Sequence, residues 1–174
     1  MVDFPQKPQP IQPLPLATDR KSGKAMLVGT VGASAAVLLI GMVSGYEGKQ
    51  NDPYKDIVGI NTVCYGETHV AMRRYSDAEC GDMLARSIAD HAAPVVQRNP
   101  ELAGHPDQLA AAVSLAYNIG PGAYSKSSVA RQFSAGQWRA ACDAFLRWSY
   151  AGGRQIKGLL DRRQSERAMC LRGL

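Results

Sequence analysis

The chain has 174 residues, 45% of them hydrophobic, which is enough for one domain with a real core plus short appendages. Its formal net charge of +5 suits an anionic partner, such as a membrane surface, a nucleic acid or an acidic wall polymer. The sequence contains no RNP-like motif, zinc-finger spacing or dense basic stripe, so we expect no nucleic-acid partner.

Residues 1–25 form a proline-rich region. Half of the chain's ten prolines lie here, with Gln and Lys between them: Pro5, Pro8, Pro10, Pro13 and Pro15. Such a segment has little apolar surface to bury and cannot sustain a helix. We therefore predict a disordered tail.

Residues 26–46 are uncharged and weakly apolar. Together with Ala25 they form a run of 22 residues between Lys24 and Glu47, long enough to cross a bilayer as a helix. Basic residues before the run and Glu47 after it place the N-terminus in the cytoplasm. Interspersed glycines and serines make insertion only marginally favourable. Two alternatives stay open: a signal peptide cleaved at residues 43–45, and a stable anchor.

A small β region is predicted next. Asn51-Asp52-Pro53 is a turn signal, and residues 56–66 have the pattern of a hairpin that turns near residues 59–61.

Helices follow the β region. Ser76 and Glu79 form a capping-box pattern that opens a helix through about Arg98, which Pro94 should kink or divide. A second helix is expected from about Asp107 to the stop at residues 120–121. Shorter helices are expected at about 125–133, 137–148 and 155–170. The predicted class is α+β, mainly helical with a small hairpin region, preceded by the weakly hydrophobic transmembrane helix.

Glu47, Asp56 and Thr62 are the candidate catalytic residues. Glu47 lies at the end of an apolar helix, where apolar surroundings and the helix dipole both favour a protonated carboxyl. Such a group suits a general acid. Asp56 and Thr62 flank the predicted turn, so a hairpin can place them opposite one another to hold a water molecule. Two carboxyl groups around one bond are the usual equipment of glycoside hydrolysis, although chance spacing is the alternative.

The four cysteines, Cys64, Cys80, Cys142 and Cys170, allow three complete pairings. We favour Cys64 with Cys80 and Cys142 with Cys170, because each pair lies on consecutive elements that can pack together. Buried free thiols are the alternative. The cysteines and histidines lack ligand spacing, so we expect neither a metal nor a cofactor.

Several motifs together resemble one known family. They are Tyr46-Glu47-Gly48, Pro53-Tyr54-Lys55-Asp56, Thr62-Val63-Cys64-Tyr65-Gly66, Tyr117-Asn118-Ile119-Gly120 and the stretch from Trp148 to Gly153. In this order they are similar to phage-type lysozymes, glycoside hydrolase family 24, over about residues 46–172. Residues 26–45 resemble the signal-anchor-release segment of secreted endolysins in that family.

The resemblance implies cleavage of the β-1,4 bond between N-acetylmuramic acid and N-acetylglucosamine in peptidoglycan. Glu47 is then the acid, and Asp56 and Thr62 position water. It also implies a tail at 1–25, a membrane segment at 26–46 and a catalytic domain at 47–174. The protein is expected first in the bacterial inner membrane and then, as a monomer, in the periplasm. A holin-type pore protein enters as an indirect partner.

Two departures from the family pattern stand out. Many relatives have a histidine soon after the second glycine of the β region, whereas this chain has Glu67-Thr68-His69. Some release-type relatives place a cysteine in the apolar segment, and residues 26–46 contain none. Activation is therefore expected from refolding of the segment, without thiol exchange.

Other residues have two interpretations each. Tyr117 and Asn118 match a position that lines the sugar cleft in the family, or they belong to a helix C-cap. Arg162 and Arg163 orient Glu47, or they form an exposed charged face. Trp138 and Trp148 are expected in the core rather than under a sugar.

Three functions compete at this point: a lytic muramidase, a wall-binding protein with an inactive lysozyme-like fold, and a membrane-anchored interaction protein. The presence of Glu47, Asp56 and Thr62 favours the first, since a binding module has no need of this trio.

Overall fold

The structure, a computed structural model, describes residues 21–56 and 59–174. Over these residues the chain forms eight α-helices and two small antiparallel hairpins. The helices are α1 (Gly23–Val31), α2 (Ala33–Glu47), α3 (Asp77–Arg98), α4 (Pro106–Ile119), α5 (Pro121–Lys126), α6 (Ser128–Ser134), α7 (Trp138–Ala144) and α8 (Lys157–Arg172). The strands are β1 (Gln50–Lys55), β2 (Asn61–Cys64), β3 (Tyr150–Ala151) and β4 (Arg154–Gln155). The predicted fold class is confirmed, and the predicted tail lies largely outside the described residues.

The uncharged stretch forms two helices, so the prediction of one continuous helix over residues 26–46 is wrong for this structure. The chain breaks at Gly32, whose φ of 81° is open to glycine at little cost. The first helix also starts earlier than predicted, because the Ser22 hydroxyl accepts a hydrogen bond from the Ala25 amide at 3.2 Å. No helix within residues 21–56 and 59–174 has both the length and the apolar content to span a membrane.

One side of each of the two helices, α1 and α2, packs into the core. Leu27 of α1 and Leu39 and Val43 of α2 have no exposed surface, and such burial is worth about 1.5–3 kcal/mol per side chain. The opposite side is also apolar but faces solvent: Val28 is 45% exposed and Val37 is 72% exposed. The two helices thus bury one face and leave an apolar one open.

Helix α1 lies directly on α3. A Cβ atom at Gly23 would collide with the carbonyl oxygen of Asp82 and would lie 2.7 Å from the amide nitrogen of Arg86. Arg86 also donates a hydrogen bond to the carbonyl of Lys21 at 3.0 Å. The close approach of the two backbones therefore depends on the absence of a side chain at residue 23.

Helix α3 begins as predicted. Both hydrogen bonds of the capping box between Ser76 and Glu79 are present. The helix continues through Pro94 to Arg98, so the prediction that Pro94 divides it is wrong. Ala92 and Val95, on either side of Pro94, are both fully buried, and this packing holds the helix together across the proline.

Helix α4 is the centre of the core. Every residue from Gln108 to Ala116 is buried, and the helix packs against α2, α3 and α8. Its predicted end at Gly120 is confirmed. The helix expected at 125–133 is instead two helices, because the Ser127 hydroxyl caps α6 by accepting from the Ala130 amide at 3.0 Å. The helix expected at 137–148 is α7 followed by a 3₁₀ turn, Phe145–Trp148.

The first hairpin starts earlier than predicted. Residues 51–53 lie inside β1, so their interpretation as a turn is wrong. The side-chain amide of Asn51 donates to the carbonyl of Tyr75 at 2.9 Å and to Asp77 at 2.7 Å, which holds this stretch extended. Thr62 pairs with Tyr54 rather than with Asp56.

Both favoured disulfides are present. Cys64, at the end of β2, bonds to Cys80 in the first turn of α3, with Cα atoms 5.1 Å apart. Cys142 on α7 bonds to Cys170 on α8, with Cα atoms 5.6 Å apart. The first bridge fixes the hairpin to α3, and the second fixes α7 to α8.

We expect each disulfide to stabilise the fold through the loop that it closes. Sequence separations of 16 and 28 residues predict that replacing either pair with alanines lowers the free energy of unfolding by about 3 kcal/mol. Urea denaturation of the two double variants, beside the wild type with and without reductant, measures these losses. Four reactive thiols in the unreduced protein would contradict the pairing.

Candidate active site

Glu47 is the last residue of α2. The helix stops there because Gly48 takes a φ of 69°. Strand β1 begins at Gln50, three residues after Glu47, so the helix end and the hairpin are directly connected. The Glu47 side chain is 28% exposed, and its Oε1 atom accepts a hydrogen bond from Arg162 Nη1 at 3.1 Å. Its carboxyl group is therefore held from the protein side and remains open to solvent.

Arg162 reaches Glu47 from α8. Its side chain is 7% exposed, and its guanidinium group lies over the Tyr46 ring at 4.6 Å. It also donates to the carbonyl of Ser114 on α4 at 3.4 Å. Arg162 thus connects α2, α4 and α8, and the alternative of an exposed charged face is wrong.

Behind Arg162 lies a buried ionic cluster. Glu166 has no exposed surface and accepts from Arg162 Nε at 3.3 Å, from Arg163 Nη2 at 3.0 Å and from the Ser114 hydroxyl at 2.7 Å. Arg163 is also fully buried, and its Nε atom lies 2.9 Å from Glu166 Oε2 without the alignment of a hydrogen bond. Burial raises the pKa of Glu166, and this outweighs the opposite effects of Arg163, Ser114 and Arg162.

Asn118 and Tyr117 lie near the end of α4. Gly120 is the C-cap, and its amide bonds to the carbonyl of Ala116, so neither residue acts as the cap. The Asn118 side-chain oxygen accepts from Arg163 Nη2 at 3.1 Å. The buried cluster therefore extends from Glu47 through three charged side chains of α8 to Asn118.

Tyr117 interacts with the charges of two carboxyl groups, those of Glu47 and Glu67. Burial raises the pKa of its hydroxyl, a hydrogen bond with Ser87 lowers it, and the charges of Glu47 and Glu67 raise it further. Glu67 follows β2 and is half-buried, and this burial raises the pKa of its carboxyl group. Glu67 was not a candidate catalytic or binding residue in the sequence, although its place directly after Gly66, in the stretch that departs from the family pattern, was a signal.

Asp56 and Thr62 are brought together by the peptide groups of Ile60. The Asp56 side chain accepts from the Ile60 amide at 2.8 Å, while its own amide donates to the Ile60 carbonyl at 3.0 Å. The Thr62 hydroxyl donates to the same carbonyl, also at 3.0 Å. The prediction that the two residues lie opposite one another across the strands is wrong. Both side chains are instead hydrogen-bonded to the backbone of Ile60 in the turn. Thr62 is 3% exposed.

The two tryptophans belong to the core, as expected. Trp138 and Trp148 both pack against the main hydrophobic cluster. The Trp138 ring also contacts Phe133 edge to face at 5.6 Å between centroids. In the described part of the chain, no group of three or more His, Cys, Asp and Glu side chains is placed to hold a metal ion.

Three further residues that shape the site were not predicted from the sequence: Ser114 and Glu166 in the buried ionic cluster, and Ile60 in the turn of the first hairpin. Glu166 follows Arg162 by four residues, which puts both on one face of a helix and was a usable signal. Ile60 acts through its backbone alone, and an isolated apolar residue carries no such signal.

Comparisons with known proteins give a consistent result. Residues 44–166 match the phage lysozyme family. The SAR-endolysin of Enterobacteria phage P21 is 40% identical over 161 residues, covering 88% of this chain and 96% of that protein. The crystal structure of the active form of the P1 phage endolysin Lyz has a TM-score of 0.68 at 23% identity, covering 88% of this chain and 95% of that one. The secreted inactive form of the same endolysin has a TM-score of 0.51 at 21% identity, with coverages of 81% and 96%.

Proposed function

This chain belongs to the phage lysozyme family, and from that membership we propose that it cleaves the bond between N-acetylmuramic acid and N-acetylglucosamine in peptidoglycan. As a member of the family it is a peptidoglycan-hydrolysing glycosidase. In the proposed reaction Glu47 is the general acid, Asp56 and Thr62 position the attacking water, and cell lysis is the result.

The contact between Glu47 and Arg162 carries this proposal. A general acid must present its proton in a fixed direction toward the leaving oxygen. Arg162 holds Glu47 Oε1 from the buried side, so Oε2 is the oxygen that presents the proton to substrate. The partial exposure of the side chain gives a glycan access to it. This combination of a held oxygen and an open one fits proton donation.

Asp56 and Thr62 supply the other half of the reaction. Because the Thr62 hydroxyl donates its proton to Ile60, it meets a water molecule as a hydrogen-bond acceptor. Asp56 accepts from the amide of the same residue, so both side chains that are proposed to bind the water are held at Ile60. A water activated in this way attacks the sugar from the face opposite the leaving group, which inverts the anomeric carbon.

Tyr117 and Asn118 are proposed to line the sugar cleft. Tyr117 interacts with the charge of Glu47, and the Asn118 side chain is held by a hydrogen bond from the buried Arg163. An aromatic ring and a fixed amide are a common pair for binding a sugar, since the ring packs on its face and the amide bonds to its hydroxyls.

Residues 26–46 are proposed to hold the newly made protein in the bacterial inner membrane, with the tail of residues 1–25 in the cytoplasm. The released protein then acts as a monomer in the periplasm, and a holin-type pore protein that collapses the membrane potential is its indirect partner. The exposed apolar faces of α1 and α2, at Val28 and Val37, support an earlier contact with lipid. The greater likeness to the active form of the P1 endolysin supports the packed arrangement as the released one.

The membrane state is proposed to be inactive for a geometric reason. Glu47 meets Arg162 because α2 packs against the core with Leu39 and Val43 buried. While α2 lies in lipid, that contact is absent, and an error of about 1 Å in a catalytic group costs on the order of a hundredfold in rate. Release lets α2 pack into the domain and so completes the site.

The chemistry is tested by Glu47→Gln. We expect the variant to fold normally and to lose hydrolysis of purified cell walls by about 10²–10⁴-fold, since only the proton donor is removed. Thr62→Ala should lose less, and Thr62→Ser, which keeps the hydroxyl, less still. Turbidity of a wall suspension measures the rates.

Glu101→Gln is the matched control, because Glu101 lies in the turn before α4, at the end of that helix remote from Tyr117. It should keep the wild-type rate. Near-normal clearing by Glu47→Gln would show that another residue is the acid.

The stereochemistry is tested on fresh product. We expect an NMR time course with a soluble peptidoglycan fragment to show the α-anomer first, because the bond broken is β and the water attacks from the opposite face. Initial formation of the β-anomer would identify Asp56 as a covalent nucleophile instead.

Membrane release is tested by changing apolarity without disturbing the packed fold. A Cβ atom at Gly29 or Gly41 has no neighbour within 4 Å in the structure, and leucines at these positions make membrane insertion more favourable. We expect this double variant to stay in the membrane fraction and fail to lyse cells after depolarisation, while the wild type is released at full length. Extracted from the membrane and purified, the variant should hydrolyse walls normally.

Gly122→Leu is the matched control, since a Cβ atom at Gly122 also has no neighbour within 4 Å. This position lies on α5, outside the apolar segment. The control variant should be released like the wild type. A mature periplasmic protein that begins at Tyr46 by mass spectrometry would instead identify the segment as a cleaved signal peptide.

A further inference from the structure

Arg162 is shared between two carboxylates. Its Nη1 atom bonds to Glu47 at 3.1 Å, and its Nε atom bonds to Glu166 at 3.3 Å. Glu47 is partly exposed, whereas Glu166 is fully buried. One guanidinium group therefore links the proposed acid to a carboxylate that substrate cannot reach.

We propose that Glu166 is a positioning residue that acts through Arg162: it fixes the guanidinium group and reduces the net positive charge that Arg162 presents to Glu47. The proposal rests on the role of Glu47 as general acid. Glu166 touches neither the sugar nor the reacting atoms, and its effect on the reaction is electrostatic.

The need for such a residue follows from the sign of the charges. An arginine within hydrogen-bonding distance of a carboxylate favours the ionised form. The reaction requires the protonated form, so the charge of an isolated Arg162 would work against the reaction for which its hydrogen bond orients Glu47. Glu166 offsets the positive charge of Arg162 and leaves its hydrogen-bonding geometry in place.

The charge balance of the cluster supports this role. Arg162, Arg163 and Glu166 together carry one positive charge, which ionised Glu47 would neutralise. Without Glu166, two positive charges would remain beside Glu47. Because Arg163 and Glu166 have no exposed surface, solvent screens this change weakly. Removal of this unit charge is therefore expected to move the pH dependence of the reaction by about one pH unit.

The other groups around Glu47 do not replace this effect. Arg162 from α8 makes the ion pair, and Tyr117 from α4 interacts with the charges of both Glu47 and Glu67, the latter from the loop after β2. Burial raises the pKa of the Tyr117 hydroxyl above its ordinary value. Glu67 remains the same in every variant described below, so it cannot produce the differences among them.

The test compares two substitutions with opposite expected signs. In Glu166→Gln, which keeps the size and most of the hydrogen bonds, the alkaline limb of the kcat profile should move down by about one pH unit. In Arg163→Gln, Glu166 is released from one arginine and interacts more strongly with Arg162, so the same limb should move up by about half a unit. The KM value for a soluble glycan should change less than kcat in Glu166→Gln. Arg163→Gln also loses the hydrogen bond that holds Asn118, so only its pH profile is compared.

Arg167→Gln is the matched control. Arg167 lies on the same helix but pairs with Asp143 at the surface, at 2.7 Å, and its loss should leave the profile in place. Thermal melts identify any variant that fails to fold, and if one of the two does so, the sign of the other decides. Shifts in the same direction, or an unmoved limb in a folded variant, would overturn the role of Glu166.

A failure of the proposed function looks different. If Glu47→Gln clears walls at near the wild-type rate, the acid is another group, whatever the profiles of the Glu166 and Arg163 variants show. If Glu47→Gln is inactive and Glu166→Gln keeps the wild-type profile, the acid is assigned correctly and Glu166 has only a structural role.

Discussion

The ion pair between Glu47 and Arg162 is the contact on which the rest of the site depends, because it joins the end of the apolar segment to the last helix. Arg162 lies almost fully buried, and its charge is tolerable there because Glu166 and Arg163 complete a cluster with Ser114. Breaking such a cluster leaves an uncompensated buried charge, at a cost of about 3–5 kcal/mol. The fold and the position of Glu47 are therefore stabilised by the same contacts.

Much of the architecture follows from local signals in the sequence. The capping box at Ser76 and Glu79 is satisfied entirely by neighbouring residues, so it predicts the start of α3 wherever that helix lies in the fold. The position of Glu47 at a helix end could be predicted in the same way, since an apolar run stops at Gly48. The disulfides were predictable once the order of the elements was known, because each joins consecutive packed elements.

The errors occur where distant contacts decide the conformation. Residues 51–53 have turn chemistry, yet Asn51 bonds to Tyr75 and Asp77, and these contacts hold it in a strand. The break at Gly32 depends on the burial of Leu27 and Leu39 on either side, since the glycine itself is compatible with a continuous helix. Glu166 resembles a surface glutamate in the sequence, and its burial becomes visible only when α4 and α8 are seen together.

Gly23 has a consequence for how this chain can vary and recombine. Any side chain there would push α1 off α3, so the position is closed to substitution although it lies 24 residues ahead of Glu47. A segment exchange made directly before Glu47 would discard both α1 and α2, whose buried residues belong to the core. The part of the chain that has to be exchanged as one piece thus begins before the apolar segment.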